Sequence, residues 1–138
     1  MRIRKLTHVF VDTIPDALDE GILYVCIRFG TAAHLCCCGC RNEVITPITP
    51  SDWTFSFDGE TISLVPSIGN WSFDCRSHYW IQRNRIRWAP TWTRVQIECA
   101  RALDRAEKAQ RYSRWRIIAR SCRAVRDLAA RARRRSGW

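Results

Sequence analysis

Apolar positions in the first two thirds of the chain come as short runs or strict alternations, and then the period changes. Leu6 to Val11 and Ile22 to Phe29 are runs of β-branched, aromatic and leucine residues, the composition of strands. Glu43 to Thr46 is a shorter run that stops at Pro47. Trp53 to Phe57 and Thr61 to Val65 alternate apolar and polar side chains on either side of Asp58-Gly59, which predicts a hairpin. Tyr79 to Ile81 and Arg85 to Trp88 flank Asn84 and predict another. Between the runs, IPDALDEG carries turn or short-helix signals and closes on Gly21, and Pro66 to Trp71 (PSIGNW) reads as a loop.

After Thr93 the spacing becomes helical. Val95, Cys99, Leu103 and Ala106 recur at helical intervals, and so do Trp115, Ile118, Cys122, Val125 and Ala129. No proline interrupts this stretch and its only glycine is Gly137. It predicts one long helix, or two with a break around Gln110 to Ser113, whose apolar stripe packs on something else. The expected class is therefore α+β. Residues 1–90 form a small β-rich domain of short antiparallel strands, and residues 91–138 a basic amphipathic helical extension.

Charge sharpens that boundary. Residues 1–90 hold nine Lys/Arg and nine Asp/Glu, whereas residues 91–138 hold fourteen and four and carry the whole net charge of +10. A neutral body thus precedes a basic arm that ends in RARRRSGW. With Trp92, Tyr112, Trp115 and Trp138 among them, the arginines suit nonspecific binding to nucleic acid or to an acidic partner, and equally a solvated helix face. The first residues lack the long apolar stretch of a secretory signal, and the longest apolar run is Ile22 to Ile27, too short to span a bilayer. The expected location is the cytosol, where thiols stay reduced.

That location governs how the cysteines are read. Four of eight fall in Ala33 to Val44, AHLCCCGCRNEV, and a fifth lies in Cys75-Arg-Ser-His78. Cys36, Cys38 and Cys40 occupy alternate positions, which share a face in extended chain, and Gly39 allows the backbone to fold closely around an ion. Two short ligand groups some thirty residues apart suit a structural zinc site with four Cys/His ligands. The first-choice set is Cys38, Cys40, Cys75 and His78, with Cys36 and His34 in reserve and Cys37 pointing away. An iron–sulfur centre using His34, Cys36, Cys75 and His78 ranks below zinc, because its first pair runs His-x-Cys. Buried, unligated thiols are the plainer alternative. Cys26, Cys99 and Cys122 read as packing residues.

The blocks HVFVDTIPDALDEGILYV, AHLCCCGCRNEVITPITPSDW, FDGETISLVPSIGNWSFDCRSHYWI and RIRW together resemble the bacterial family catalogued as DUF6527, over roughly residues 7–89. Arg41 stands where members of that family usually have a glycine. The resemblance implies a metal-binding component of operons that encode ubiquitin-like proteins and E1-like and E2-like enzymes, which would then be its partners. An ammonia monooxygenase label attached to some members has no support in these residues.

Residues and resemblance together favour a noncatalytic zinc-binding accessory module of a ubiquitin-like conjugation pathway. A peptidase or hydrolase acting on a ubiquitin-like protein comes second, and a nonspecific nucleic-acid binder third. For the second reading the groups to consider as nucleophile or base are Ser67, Ser77, His34 and Glu43. Ser77 and His78 are neighbours and would diverge in extended chain, while a Ser67–His34 pairing rests on no motif.

Overall fold

The computed structural model describes residues 1–135, and the side chains of all of these except 124, 125 and 127–135. Eight strands precede one helix: β1 Thr7–Phe10, β2 Ile22–Cys26, β3 Thr31–Leu35, β4 Glu43–Pro47, β5 Thr54–Phe57, β6 Ile62–Gly69, β7 His78–Gln82, β8 Arg85–Trp88 and α1 Arg94–Arg135. The protein is α+β, and its strands form two four-stranded sheets with orders β1-β2-β3-β4 and β5-β6-β7-β8. The chain divides into two compact units, Met1–Trp92 and a second beginning at Thr93.

Both sheets turn one face to a shared core. Leu23, Val25, Ala32 and Val44 from the first sheet cluster with Ile62, Leu64, Ile68, Tyr79 and Ile81 from the second. The alternation that marks β7 and β8 in the sequence places Tyr79, Ile81 and Ile86 inward, and Trp80, Arg85 and Arg87 outward. Both expected hairpins form. Arg83 and Asn84 adopt φ of 48° and 61° in the two-residue turn between β7 and β8, a left-handed pair that matches strand twist. At the other hairpin, Asp58 accepts bonds from the backbone amides of Glu60 and Thr61 and from the Thr61 hydroxyl. These donors, Thr61 first, hold its carboxyl down at about 2.

Three features differ from the pattern reading. β1 pairs with β2 in parallel, although the other named pairs are antiparallel. β3 was not expected, because its TAAHL is small and its burial comes from lying between β2 and β4. Residues 66–69 extend β6 instead of forming a loop. In the second unit α1 runs without a break through Gln110 to Ser113, so of the two expected forms it is the one long helix.

The helix begins at a capping box. Thr93 Oγ1 accepts from the Gln96 amide at 3.3 Å, and the Gln96 side chain accepts from the Thr93 amide at 2.8 Å. In the single chain Leu103, Trp115, Ile118, Cys99 and Cys122 of its apolar stripe are exposed. Val125, Ala129 and the terminal RARRRSGW lie outside the described side chains.

Candidate metal centre and serine–histidine pair

The β3–β4 and β6–β7 connections meet at the cysteines. Gly39 has φ of 91° and closes a tight turn in which its amide donates to the Cys36 carbonyl at 3.0 Å. A Cβ at this position would lie 2.9 Å from the Met1 nitrogen, so only glycine fits under the chain's first residue. The turn brings Cys36, Cys38 and Cys40 together, and Cys75 arrives from the other connection, so that all four sulfurs lie within 4.8 Å of one another. Individual separations are 3.4 Å for Cys36–Cys38, 3.7 Å for Cys40–Cys75 and 3.9 Å for Cys36–Cys75. Four sulfurs arranged tetrahedrally around one ion at zinc–thiolate distance would stand about 3.8 Å apart. All eight cysteines are free thiols.

Polar donors face these sulfurs, as thiolates require. The Cys40 amide lies 3.4 Å from Cys38 Sγ, and Asn42 Nδ2 lies 3.3 Å from Cys40 Sγ. Ser77 Oγ is 3.0 Å from Cys36 Sγ and itself accepts from Asn70 Nδ2 at 2.8 Å. Burial pushes the Cys36 and Cys38 thiols up. At Cys40 burial also pushes upward, but the backbone amide of Asn42 and the neighbouring thiols outweigh it and bring the group down to about 7. The donor set and its spacing fit a bound metal ion.

The structure therefore brings together Cys38, Cys40 and Cys75 with Cys36, a residue held in reserve, and leaves out His78. Cys37 turns into the core, where burial raises its thiol to about 12. His34 is also fully buried, on the core face of β3, and contacts the Tyr79 hydroxyl through Nε2 at 2.8 Å. Burial alone brings His34 down to about 4, and its Nδ1 has no hydrogen-bond partner among the described residues. Glu43 is exposed at the start of β4, and Ser77 is spent on Cys36 and Asn70.

His78 instead lies beside Ser67. Its Nε2 is 2.9 Å from Ser67 Oγ, and its Nδ1 is 3.1 Å from the Pro90 carbonyl oxygen. A carbonyl only accepts, so the proton belongs on Nδ1, and Nε2 then presents its lone pair to the serine hydroxyl. The pairing depends on an irregularity in β6. Leu64 faces Ile81 and Ile68 faces Tyr79, so the segment Val65–Ser67 bulges against a single residue of β7. Pro66, joined to Val65 by a cis peptide, lies in this bulge, and Ser67 emerges on the outer face.

Three indoles surround the histidine. Ring centres of Trp71, Trp92 and Trp80 lie 4.9, 5.0 and 5.6 Å from that of His78, and Trp71 stacks on Trp92. His78 is 4% exposed, while Ser67 is half-buried and within reach of solvent. Trp71 folds tightly over Gly69, where a Cβ would lie 2.4 Å from the indole nitrogen. Sequence reasoning named both Ser67 and His78 but assigned the histidine to the metal. No local motif joins them, since the β6–β7 register alone makes them neighbours.

Among the described residues no helix is long and apolar enough to cross a membrane. Neither the curated proteins nor the solved structures contain a match to the chain. One family model does match, over residues 10–89 and so more than half the chain, which agrees with the resemblance at the level of a bacterial ubiquitination-like operon. By this match, and with a serine–histidine pair beside a four-cysteine cluster, the chain belongs to the family described as bacterial ubiquitination-like system serine protease (BubE).

Proposed function

We propose that the protein is a serine peptidase of a bacterial ubiquitination-like pathway, with Ser67 as nucleophile and His78 as base. The observation that carries this reading is the 2.9 Å contact between Ser67 Oγ and His78 Nε2, with Nδ1 held on the Pro90 carbonyl. The family's printed description supports it. It reverses the order drawn from the sequence, in which a noncatalytic accessory role came first.

The chemistry follows from the tautomer. Ser67 Oγ attacks the acyl carbon of the scissile bond while its proton passes to Nε2. The resulting imidazolium keeps its Nδ1 proton on the Pro90 carbonyl, whose dipole does the orienting work that a carboxylate does in other triads. His78 then gives its Nε2 proton to the leaving amine, and water, deprotonated by the same nitrogen, releases the acyl group from Ser67. The indoles around His78 exclude bulk water and strengthen the interaction between base and serine.

Cys36, Cys38, Cys40 and Cys75 would hold one zinc ion. When bound, the ion supplies four sulfur bonds that tie the β3–β4 connection to the β6–β7 connection. His78 directly follows that second connection, so the cysteines act as a fixed support for the base. The test is labelling with a fluorophosphonate, together with cleavage of a tail-extended ubiquitin-like protein encoded in the same operon. Both activities should vanish in Ser67→Ala and His78→Ala and persist in Ser77→Ala. Labelling of a different serine would overturn the assignment.

A further inference from the structure

The nine cations and nine acids of residues 1–90 cancel in sequence but not in space. Lys5, Arg83, Arg85 and Arg87 line one open cavity of about 900 Å³, together with Ser63 and Gln82. Arg4 joins Lys5, Arg85 and Arg87 around an adjoining cavity of about 500 Å³. None of these five cations forms an ion pair among the described residues, although Asp58 feels the field of Arg83. Lys5 even stands directly opposite Arg85 across an antiparallel bridge. Like charges facing each other in this way are unfavourable, and an anionic occupant would relieve the repulsion.

This cavity lies on the same outer sheet face as the serine–histidine pair. On its outer face β7 presents His78, Trp80 and Gln82 in turn. Arg87 pairs with Trp80 in register, and Arg85 with Gln82. The Arg87 guanidinium stands 6.0 Å from the Trp80 ring centre and donates to Gln82 Oε1 at 3.1 Å. Strand rise places the Trp80–Arg87 row about 7 Å from His78 and the Gln82–Arg85 row about 14 Å away. Alternate side chains of an extended peptide repeat at the same spacing, so one strand of substrate would meet both rows. The phosphates of an extended nucleic-acid strand repeat at a similar spacing, so it is the serine–histidine pair at the end of these rows that favours a peptide.

We infer that the outer face of β6–β7–β8 is the substrate track, and that the cationic cavity takes acidic side chains two to four residues from the bond that Ser67 attacks. The inference rests on the peptidase reading for its catalytic end. The substrate class is then an extended, acidic stretch of protein.

The test uses the full-length Ser67→Ala chain and short fluorescent peptides of one frame bearing Glu or Gln at the variable positions. The Glu peptide should bind at least about tenfold tighter at low salt, and that preference should shrink between about 50 and 200 mM salt. Arg85→Glu with Arg87→Glu should remove the preference, and Arg85→Gln with Arg87→Gln should weaken it with less risk to folding. Arg101→Glu with Arg105→Glu makes the same change in charge on α1 and should leave the preference in place. Equal binding of the two peptides overturns the inference, and so does a preference lost only through the α1 substitutions. A single-stranded oligonucleotide that outcompetes the Glu peptide, in a manner dependent on Arg85 and Arg87, also overturns it in favour of nucleic acid. A Glu preference that depends on Arg85 and Arg87, in a chain whose Ser67 takes no fluorophosphonate, upholds the acidic-peptide site and fails only the peptidase reading. Labelling of Ser67 without any Glu preference does the reverse.

Discussion

The cysteine cluster and the serine–histidine pair flank one connection, that between β6 and β7, yet they are built in opposite ways. The cluster takes three of its four sulfurs from five consecutive residues, Cys36 to Cys40, and needs the rest of the fold only to deliver Cys75. The pair takes one residue from a bulge in β6, one from the start of β7 and a carbonyl from beyond β8. The cluster ties two connections together, whereas the pair depends on two strands already being in register. Under the proposed function, support and chemistry are therefore separable: damage to the cluster should reach the pair, and damage to the pair should stop there.

Cys75→Ser is the most severe way to probe that asymmetry. Structural zinc sites contribute on the order of 10 kcal/mol to folding in small domains. The substitution should therefore release the metal, lower the melting temperature sharply and abolish fluorophosphonate labelling together, as metal analysis, thermal scans and labelling would read. Retention of labelling in a metal-free chain would break the proposed dependence of base on cluster. Ser67→Ala is the converse. It should lower peptide-bond cleavage by more than about a thousandfold. Metal content and melting temperature should stay as they are, because Ser67 is half-buried and its methyl replacement leaves no cavity.

Acid should act through the support side. His34 is buried against Tyr79 and binds its proton only near pH 4, while in the unfolded chain it does so near the ordinary 6.5. Between those values the unfolded state holds more protons, so stability falls as the pH drops from about 6.5 to 4 and is unaffected by His34 above that window. The loss should approach about 3 kcal/mol. Denaturant titrations across the window should show that His34→Asn lacks this part of the slope. If wild type and variant track each other, His34 is not held neutral by burial.

Two smaller effects refine the picture. Gly69→Ala must displace the Trp71 indole, and with it one wall around His78. Cleavage should fall by about ten- to a hundredfold, the cost of a modest displacement near a reacting centre, with metal retained. Loss of metal in this variant would mean that the two sites share more than the connection. Arg41 follows the last clustered cysteine with φ of 61°, a left-handed conformation that costs a residue with a Cβ roughly 1–2 kcal/mol. Arg41→Gly should raise stability by up to about 1 kcal/mol in a denaturation curve, after the added flexibility of the unfolded chain is offset, and should leave cleavage unchanged.

Much of this molecule is written locally. The two hairpins follow from Asp58-Gly59 and Asn84, which suit the turn conformations that the chain adopts there. The start of α1 follows from Thr93 and Gln96, and the crowding of thiols around Gly39 from five letters of sequence. What lay beyond the sequence depends on partners distant along the chain. β3 is a strand because β2 and β4 flank it, and β1 is parallel because its link to β2 returns the chain to the end at which β1 began. Cys36 and not His78 completes the sulfur cluster, because β7 begins at His78 and turns that side chain to the outer face, away from the thiols. A neutral charge count likewise concealed five cations gathered on one side of the body. Periodicity and turn chemistry act over a few residues, so sequence alone determined most of the elements and the crowding of candidate metal ligands around Gly39. Register between β6 and β7 is set by the packing of Leu64, Ile68, Tyr79 and Ile81 in the shared core, so only the tertiary structure decided which serine meets which histidine.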